Sequence, residues 1–122
     1  VPAKAVPDVP AAPADETATL TVPQLAAALR RALGTRPSCL MRAPLSWSGD
    51  LWPLRHPLDY LGGDGGGGVG SGPGMSVGSA LALRGSGRLP IAILGDGDFM
   101  MSPSAIWTAV HYGIPNVIGP PL

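Results

Sequence analysis

The sequence has few charged residues and one cysteine, and each shortage excludes a class of protein. It contains eight basic and eight acidic residues among 122, so its formal net charge is zero. This balance gives no electrostatic reason to expect nucleic acid or an anionic membrane as a partner. The single Cys39 excludes an internal disulfide, and no CxxC or His/Cys set suggests zinc. No apolar run approaches the roughly 20 residues of a membrane span.

The first residues also lack the basic region and apolar core of a signal peptide, so we expect a cytoplasmic location. Glycine and proline are abundant instead, with 18 and 15 residues, and they are concentrated in particular segments. Residues 1–16 are rich in proline and alanine and are predicted to form an extended linker. Residues 17–122 are predicted to form a domain, or part of one.

The apolar pattern predicts alternating helices and strands, so the expected fold class is α/β. Residues 21–33 are a predicted helix, because Thr21 can cap it and apolar residues recur at helical spacing. Residues 38–41 and 91–94 are short apolar runs typical of strands that are covered on both faces. A third strand is predicted to begin at Asn116. Together these elements indicate a partial doubly wound parallel sheet.

The predicted strand at residues 91–94 is followed by a glycine turn that carries carboxylates, Gly95-Asp96-Gly97-Asp98. Glycines let a ligand approach the backbone, and free N–H groups in such a turn attract phosphate oxygens. Mg²⁺ is usually held by one or two carboxylates together with substrate phosphates. The pattern therefore suggests a metal and phosphate site, although Gly-Asp-Gly alone is equally typical of an ordinary turn. A helix with Ser102 as its N-cap is predicted next.

A second glycine-rich segment, residues 62–78, lies upstream of that turn. A flexible linker is one interpretation, but an apolar pattern with helical spacing follows at once, from Met75 to Leu83. A glycine loop that leads into a helix is the arrangement used to approach a phosphate or a planar ring. The segment lacks the lysine of a P-loop, so that motif is not indicated.

Residues 93–115, ILGDGDFMMSPSAIWTAVHYGIP, resemble the thiamine diphosphate (ThDP) motif of one enzyme superfamily. The superfamily includes acetolactate synthase, benzoylformate decarboxylase and pyruvate decarboxylase. Its motif is Gly-Asp-Gly, then a helix, then an Asn pair about two dozen residues further on. The similarity extends through residues 106–109 and through Ile114-Pro115, so it is much more specific than Gly-Asp-Gly alone. The resemblance places Trp107 in the packed core of the helix.

The resemblance implies ThDP and Mg²⁺ as cofactors, with the glycine turn around the diphosphate. Asp96 matches the aspartate that ligates the metal. Gly95 belongs to the same cofactor-binding turn. Gly97, Asp98 and Phe99 would offer backbone N–H groups to the diphosphate.

The resemblance also assigns roles to residues upstream of the turn. Gly67 and Gly68 match the backbone contacts to the cofactor rings. Val69 matches the apolar residue that holds the cofactor in its bent shape. Ser46, in the loop after the first strand, would contribute a hydroxyl to the diphosphate.

The sequence departs from the family pattern at its C-terminal end. Pro120 and Pro121 cannot lie in a central strand. The Asn pair would begin at Leu122, which cannot ligate a metal, and Asn116 comes too early. We therefore expect a fragment of the ThDP-binding fold that lacks the second metal ligand. The pyrimidine-binding domain, with the glutamate that activates the pyrimidine, is expected to be missing as well.

Three functions remain as alternatives. The first is the ThDP- and Mg²⁺-binding portion of an acetolactate synthase-like decarboxylase or carboligase, a lyase or transferase that is inactive as this fragment. The second is a non-catalytic remnant that serves only in assembly. The third, an unrelated nucleotide-binding module, is disfavoured because neither a lysine nor a ribose-binding acid accompanies the turn. The resemblance implies a 2-keto acid substrate and a homo-oligomer, either a dimer or a tetramer.

Overall fold

The computed structural model describes residues 5–8, 19–63, 68–115 and 117–119. Most of the predicted linker, together with Gly67, Asn116 and Leu122, lies outside the described residues. The helices are α1 Val22–Leu33, α2 Gly72–Ala82, α3 Asp96–Met101 and α4 Ser104–His111. The strands are β1 Ser38–Arg42, β2 Leu89–Ile93 and β3 Val117–Gly119. Two short 3-10 helices, Gly49–Leu51 and Pro57–Asp59, lie between β1 and α2.

The three strands form one parallel sheet in the order β1-β2-β3. Ile91 of β2 lies opposite Leu40 of β1 on one side and Val117 of β3 on the other. Successive parallel strands need a crossover, and helices provide both crossovers here. The central position of β2 explains its apolar run at residues 91–93, and Pro90 is accommodated near the start of the strand. The predicted α/β fold with a parallel sheet is confirmed.

Helices cover both faces of this sheet. On one face, Leu40, Ile91 and Ile93 pack with Trp52 and with the apolar side of α1. The opposite face packs against α2 and α4, and its buried cluster comprises Cys39, Met41, Val77, Ala80, Leu83, Ala92, Leu94, Ala109 and Ile114. The alternation follows from the two-residue period of a strand. Among the described residues, no helix is long and apolar enough to cross a membrane.

The start of α1 agrees with the sequence prediction. The hydroxyl of Thr21 accepts a hydrogen bond from the Gln24 N–H, and the Gln24 side chain accepts one from the Thr21 N–H. This reciprocal capping box satisfies two N–H groups that the first turn of a helix leaves unpaired. Gly34 ends the helix with φ +56°, a conformation that glycine adopts without strain.

The region after β2 differs from the prediction in three ways. Residues predicted as a turn form the short helix α3, which has Gly95 as its N-cap. Asp96 and Asp98 lie in its first turn, where negative charge is favoured by the helix dipole. The Ser102 side chain does not cap α4, which begins at Ser104. Trp107 is 64% exposed and not in the helix core, because Ala109 occupies the buried side of α4.

The carboxylate of Asp59 stabilises the middle of the connection between β1 and α2. Asp59 accepts hydrogen bonds from the backbone N–H groups of Arg55 and His56, at 2.7 and 2.8 Å, and it pairs with Arg88. Partial desolvation acts to raise the pKa of Asp59. The hydrogen bonds from Arg55, Arg88 and His56 outweigh it, so the pKa lies below its usual value.

The packing predicts that alanine substitution of two leucines lowers the free energy of unfolding by different amounts. Leu40 is 2% exposed, whereas Leu45 is 98% exposed. We expect Leu40→Ala to lower the free energy of unfolding by about 2–5 kcal/mol, because it removes buried methyl groups and leaves a cavity. Leu45→Ala should change it by less than about 0.5 kcal/mol. Urea denaturation of both variants measures this, and equal costs would contradict the described core.

The lowered pKa of Asp59 predicts a pH-dependent contribution to stability. The contribution is fully present above the pKa of an unfolded Asp, about 3.9, and is lost as the pH falls through the lower folded value. We expect wild type to be more stable than Asp59→Asn at pH 6, with the difference shrinking on acidification. Thermal melts between pH 6 and pH 2 test this, and a difference independent of pH would contradict it.

Candidate functional site

A cleft of about 680 Å³ opens at the carboxyl ends of β1 and β2. Arg42, Ser46, Gly68 and Val69 line this cleft. Trp47, Trp52, Leu54 and Tyr60 add apolar and aromatic surface. Ligands of open parallel sheets bind outside this end of the strands. The volume lies within the range of about 300–1,000 Å³ that is typical of small-molecule sites.

The two glycine-rich segments found in the sequence meet beside this cleft. The N–H of Gly70 donates to Oδ1 of Asp98 at 2.6 Å, and the N–H of Gly72 donates to the same oxygen at 3.1 Å. The start of α2 is thereby joined to the first turn of α3. The Cγ1 atom of Val69 lies 4.0 Å from the position that a Cβ on Gly97 would occupy.

The carboxylate of Asp98 is buried, with 6% of the residue exposed. Its Oδ2 accepts a hydrogen bond from Nε of Arg42 at 3.1 Å, which forms a salt bridge with the last residue of β1. Nη2 of Arg42 also lies 3.4 Å from the carbonyl oxygen of Gly68. One carboxylate therefore connects β1, the glycine segment and α3.

Sequence reasoning assigned Asp98 a backbone role and missed both its side chain and Arg42. A weak signal was present, because Arg42 ends an otherwise apolar strand. An isolated charge at the carboxyl end of a buried strand needs a partner of opposite sign.

Two glycines are required at this junction. A Cβ on Gly72 would lie 2.1 Å from Oδ2 of Asp98 and 2.8 Å from a methyl carbon of Leu94. Gly70 has φ +99°, and a Cβ there would lie 3.3 Å from Cβ of Met101. Glycine avoids both the steric overlap and the strain of positive φ.

Asp96, the predicted metal ligand, is exposed at the first position of α3. Its Oδ1 accepts a hydrogen bond from the N–H of Gly97 at 2.8 Å. A solvent-accessible carboxylate is a hard oxygen donor of the kind that Mg²⁺ prefers. No group of three or more His, Cys, Asp or Glu side chains gathers around a metal-sized site within the described part of the chain. A metal there would depend on Asp96 together with phosphate oxygens.

The remaining predicted cofactor residues divide into two groups. Those that line the cleft are Ser46, Gly68, Val69, Gly95 and Asp98. Asp96, Gly97 and Phe99 lie in α3, after Gly95, and do not line the cleft. The N–H of Phe99 donates to the carbonyl of Gly95 at 2.9 Å, so the helix already uses that group. Gly67 lies outside the described residues.

These features define an α/β domain whose two glycine segments flank a cleft at the carboxyl end of the sheet. Residues 44–118 match the family model described as thiamine pyrophosphate enzyme, C-terminal TPP binding domain. The match covers more than half of the chain and includes β2, both glycine segments and most residues that line the cleft, although Arg42 and the rest of β1 lie before it. The chain therefore belongs to this family, and thiamine diphosphate is the cofactor that the family binds. No curated protein and no solved structure matches the chain.

The glycine junction predicts opposite effects for two substitutions in α2. We expect Gly72→Ala to lower the free energy of unfolding by about 1–3 kcal/mol, because its Cβ collides with the Asp98 carboxylate. Gly74→Ala should raise it by about 0.5–1 kcal/mol, since no atom lies within 4 Å and alanine favours a helix. Urea denaturation of both variants tests the pair. A neutral Gly72→Ala would contradict the close approach of Asp98.

Proposed function

We propose that this chain is the ThDP- and Mg²⁺-binding portion of a ThDP-dependent 2-keto acid decarboxylase or carboligase. The observation that carries the proposal is the meeting of the two glycine segments, through Asp98, beside a cleft at the carboxyl end of β2. The family match spans both segments. The similarity of residues 93–115 to acetolactate synthase and its relatives favours the 2-keto acid class among ThDP enzymes.

The residues around the cleft fit the cofactor chemically. Asp96 offers an accessible carboxylate oxygen for Mg²⁺, which also takes phosphate oxygens. Ser46 is exposed at the cleft and offers a hydroxyl to the diphosphate. Val69 is 63% exposed and lines the cleft, where it offers an apolar surface to the rings. ThDP supplies an electron sink for carbanion chemistry when bound.

Trp47, Trp52 and Arg42 also line the cleft in which we place the cofactor rings. Trp47 and Trp52 lie with their ring centroids 5.9 Å apart, and Trp52 is buried against Ile91 and Ile93. Both tryptophans line the cleft and offer apolar surface that would limit the access of water to bound rings. Arg42 also lines the cleft, where its guanidinium is paired with the carboxylate of Asp98.

We expect the chain by itself to bind the cofactor without turning over a 2-keto acid. In the resembled family, the glutamate that activates the pyrimidine comes across a subunit interface. Catalysis would then require a homo-oligomer or other domains.

Large apolar side chains exposed on α3 and α4, namely Met100, Met101, Trp107 and Val110, support such an assembly. The same surface supports the alternative function, a non-catalytic assembly module. We propose a cytoplasmic location for either, with which the free, buried thiol of Cys39 is compatible.

Calorimetric titration tests cofactor binding. We expect weak binding of ThDP that requires Mg²⁺, with Kd of about 0.1–1 mM, equivalent to about −5.5 to −4 kcal/mol. Asp96→Asn should abolish the Mg²⁺-dependent binding of ThDP, because it removes the carboxylate that we assign to the metal. Asp8→Asn is the matched control, since Asp8 is exposed and lies outside the family match.

Two results would contradict the proposal. The first is no binding heat at several millimolar ThDP with Mg²⁺. The second is an Asp96→Asn variant whose Mg²⁺-dependent affinity equals that of wild type. Carbon dioxide release from a 2-keto acid by the chain alone would contradict only the expectation that it is inactive by itself.

A further inference from the structure

We propose that Asp98 is a positioning residue whose buried carboxylate fixes residues 68–72 against the carboxyl end of β2. Fixing this segment holds Val69 where the cofactor rings would pack. The inference rests on the proposed function, because it concerns the same site. It assigns to the side chain of Asp98 a role distinct from any backbone contact with the diphosphate.

The two carboxylate oxygens of Asp98 accept hydrogen bonds from different parts of the fold. Oδ1 accepts the N–H groups of Gly70 and Gly72, and Oδ2 accepts Nε of Arg42. Hydrogen bonds to a charged group are stronger than neutral ones. Because the donors belong to separate elements, the carboxylate determines how the glycine segment lies relative to β1 and α3.

The segment is held on both sides of Val69. Before it, the carbonyl of Gly68 accepts hydrogen bonds from Oγ of Ser71 at 3.1 Å and from Nη2 of Arg42 at 3.4 Å. After it, the N–H of Gly70 is bound to Asp98 at 2.6 Å. With both neighbours fixed, the backbone of Val69 has little freedom although its side chain is exposed. The exposed side chain is therefore preorganised for an apolar ligand surface.

A merely structural role is the competing explanation. Asp98 could serve only to accept hydrogen bonds from otherwise unpaired N–H groups at the start of α2 and thereby support overall stability. That role predicts a uniform loss of stability when the carboxylate is removed. Positioning predicts instead a local loosening of residues 68–72 and a selective loss of affinity for ligands that carry rings.

Amide hydrogen exchange of the full chain, measured by NMR without ligand, provides the first test. We expect Asp98→Asn to accelerate exchange at Gly70 and Gly72 by about ten- to a hundredfold, since hydrogen bonds to a charged group are replaced by weaker ones. The amides of Ala92 and Ile93 in β2 report on the rest of the fold and should change much less. Asp96→Asn is the matched control, because it makes the same substitution at an exposed carboxylate two residues away. This control variant should leave the exchange rates of the Gly70 and Gly72 amides unchanged.

Ligand affinity provides the second test. Magnesium pyrophosphate shares the diphosphate of ThDP but lacks its rings. We expect Asp98→Asn to weaken ThDP binding by about tenfold and pyrophosphate binding by less than about threefold. Equal weakening of both ligands would overturn the positioning role. If wild type binds neither ligand, the proposed function fails, whereas the exchange experiment still decides whether Asp98 fixes the segment.

Arg42→Lys keeps the test decisive if Asp98→Asn does not fold. Lysine retains the charge but lacks the planar group that reaches both Asp98 and the Gly68 carbonyl. We expect a local increase in exchange at Gly70 and Gly72. Unchanged exchange at both glycines in every folded variant would overturn the proposal, as would an equal increase at Ala92 and Ile93.

Discussion

The salt bridge between Asp98 and Arg42, together with the two amides on the same carboxylate, is the constraint on which the site depends. Burying a carboxylate costs several kcal/mol unless charge and hydrogen bonds compensate. Compensation here comes from β1 and from the start of α2, which are far apart in the sequence. The carboxylate can be buried only when these elements are correctly assembled, so the site forms together with the fold.

The parallel sheet explains why the site lies where it does. All three strands run in the same direction, so the carboxyl ends of β1 and β2 meet at one edge. Helices cover both faces, which leaves this edge as the natural position for a cleft. The glycines then allow the start of α2 and the first turn of α3 to approach each other closely. Close packing of α2 against α3 and access of a ligand to the backbone therefore both require small residues at this junction.

Two aspartates of the same helical turn have opposite environments. Asp98 is buried and faces into the fold, whereas Asp96 is exposed at the beginning of α3. Their side chains differ in direction because residues two apart on a helix do not share a face. The buried carboxylate organises protein groups, and the exposed one has oxygens accessible from solvent. A single Gly-Asp-Gly-Asp sequence thus contains one structural anion and one candidate metal ligand.

The sequence by itself determined the parallel α/β architecture, since its apolar runs specify buried strands. The capping box at Thr21 and Gln24 also followed from the sequence, because its partners are three residues apart. The resemblance around residues 93–115 indicated the family, which the match confirmed. Only the tertiary structure revealed the role of the Asp98 side chain and the existence of helix α3. The reason is physical: the pairing of Asp98 with Arg42 spans 56 residues, and no local pattern encodes a contact between charges that the folding of a sheet brings together.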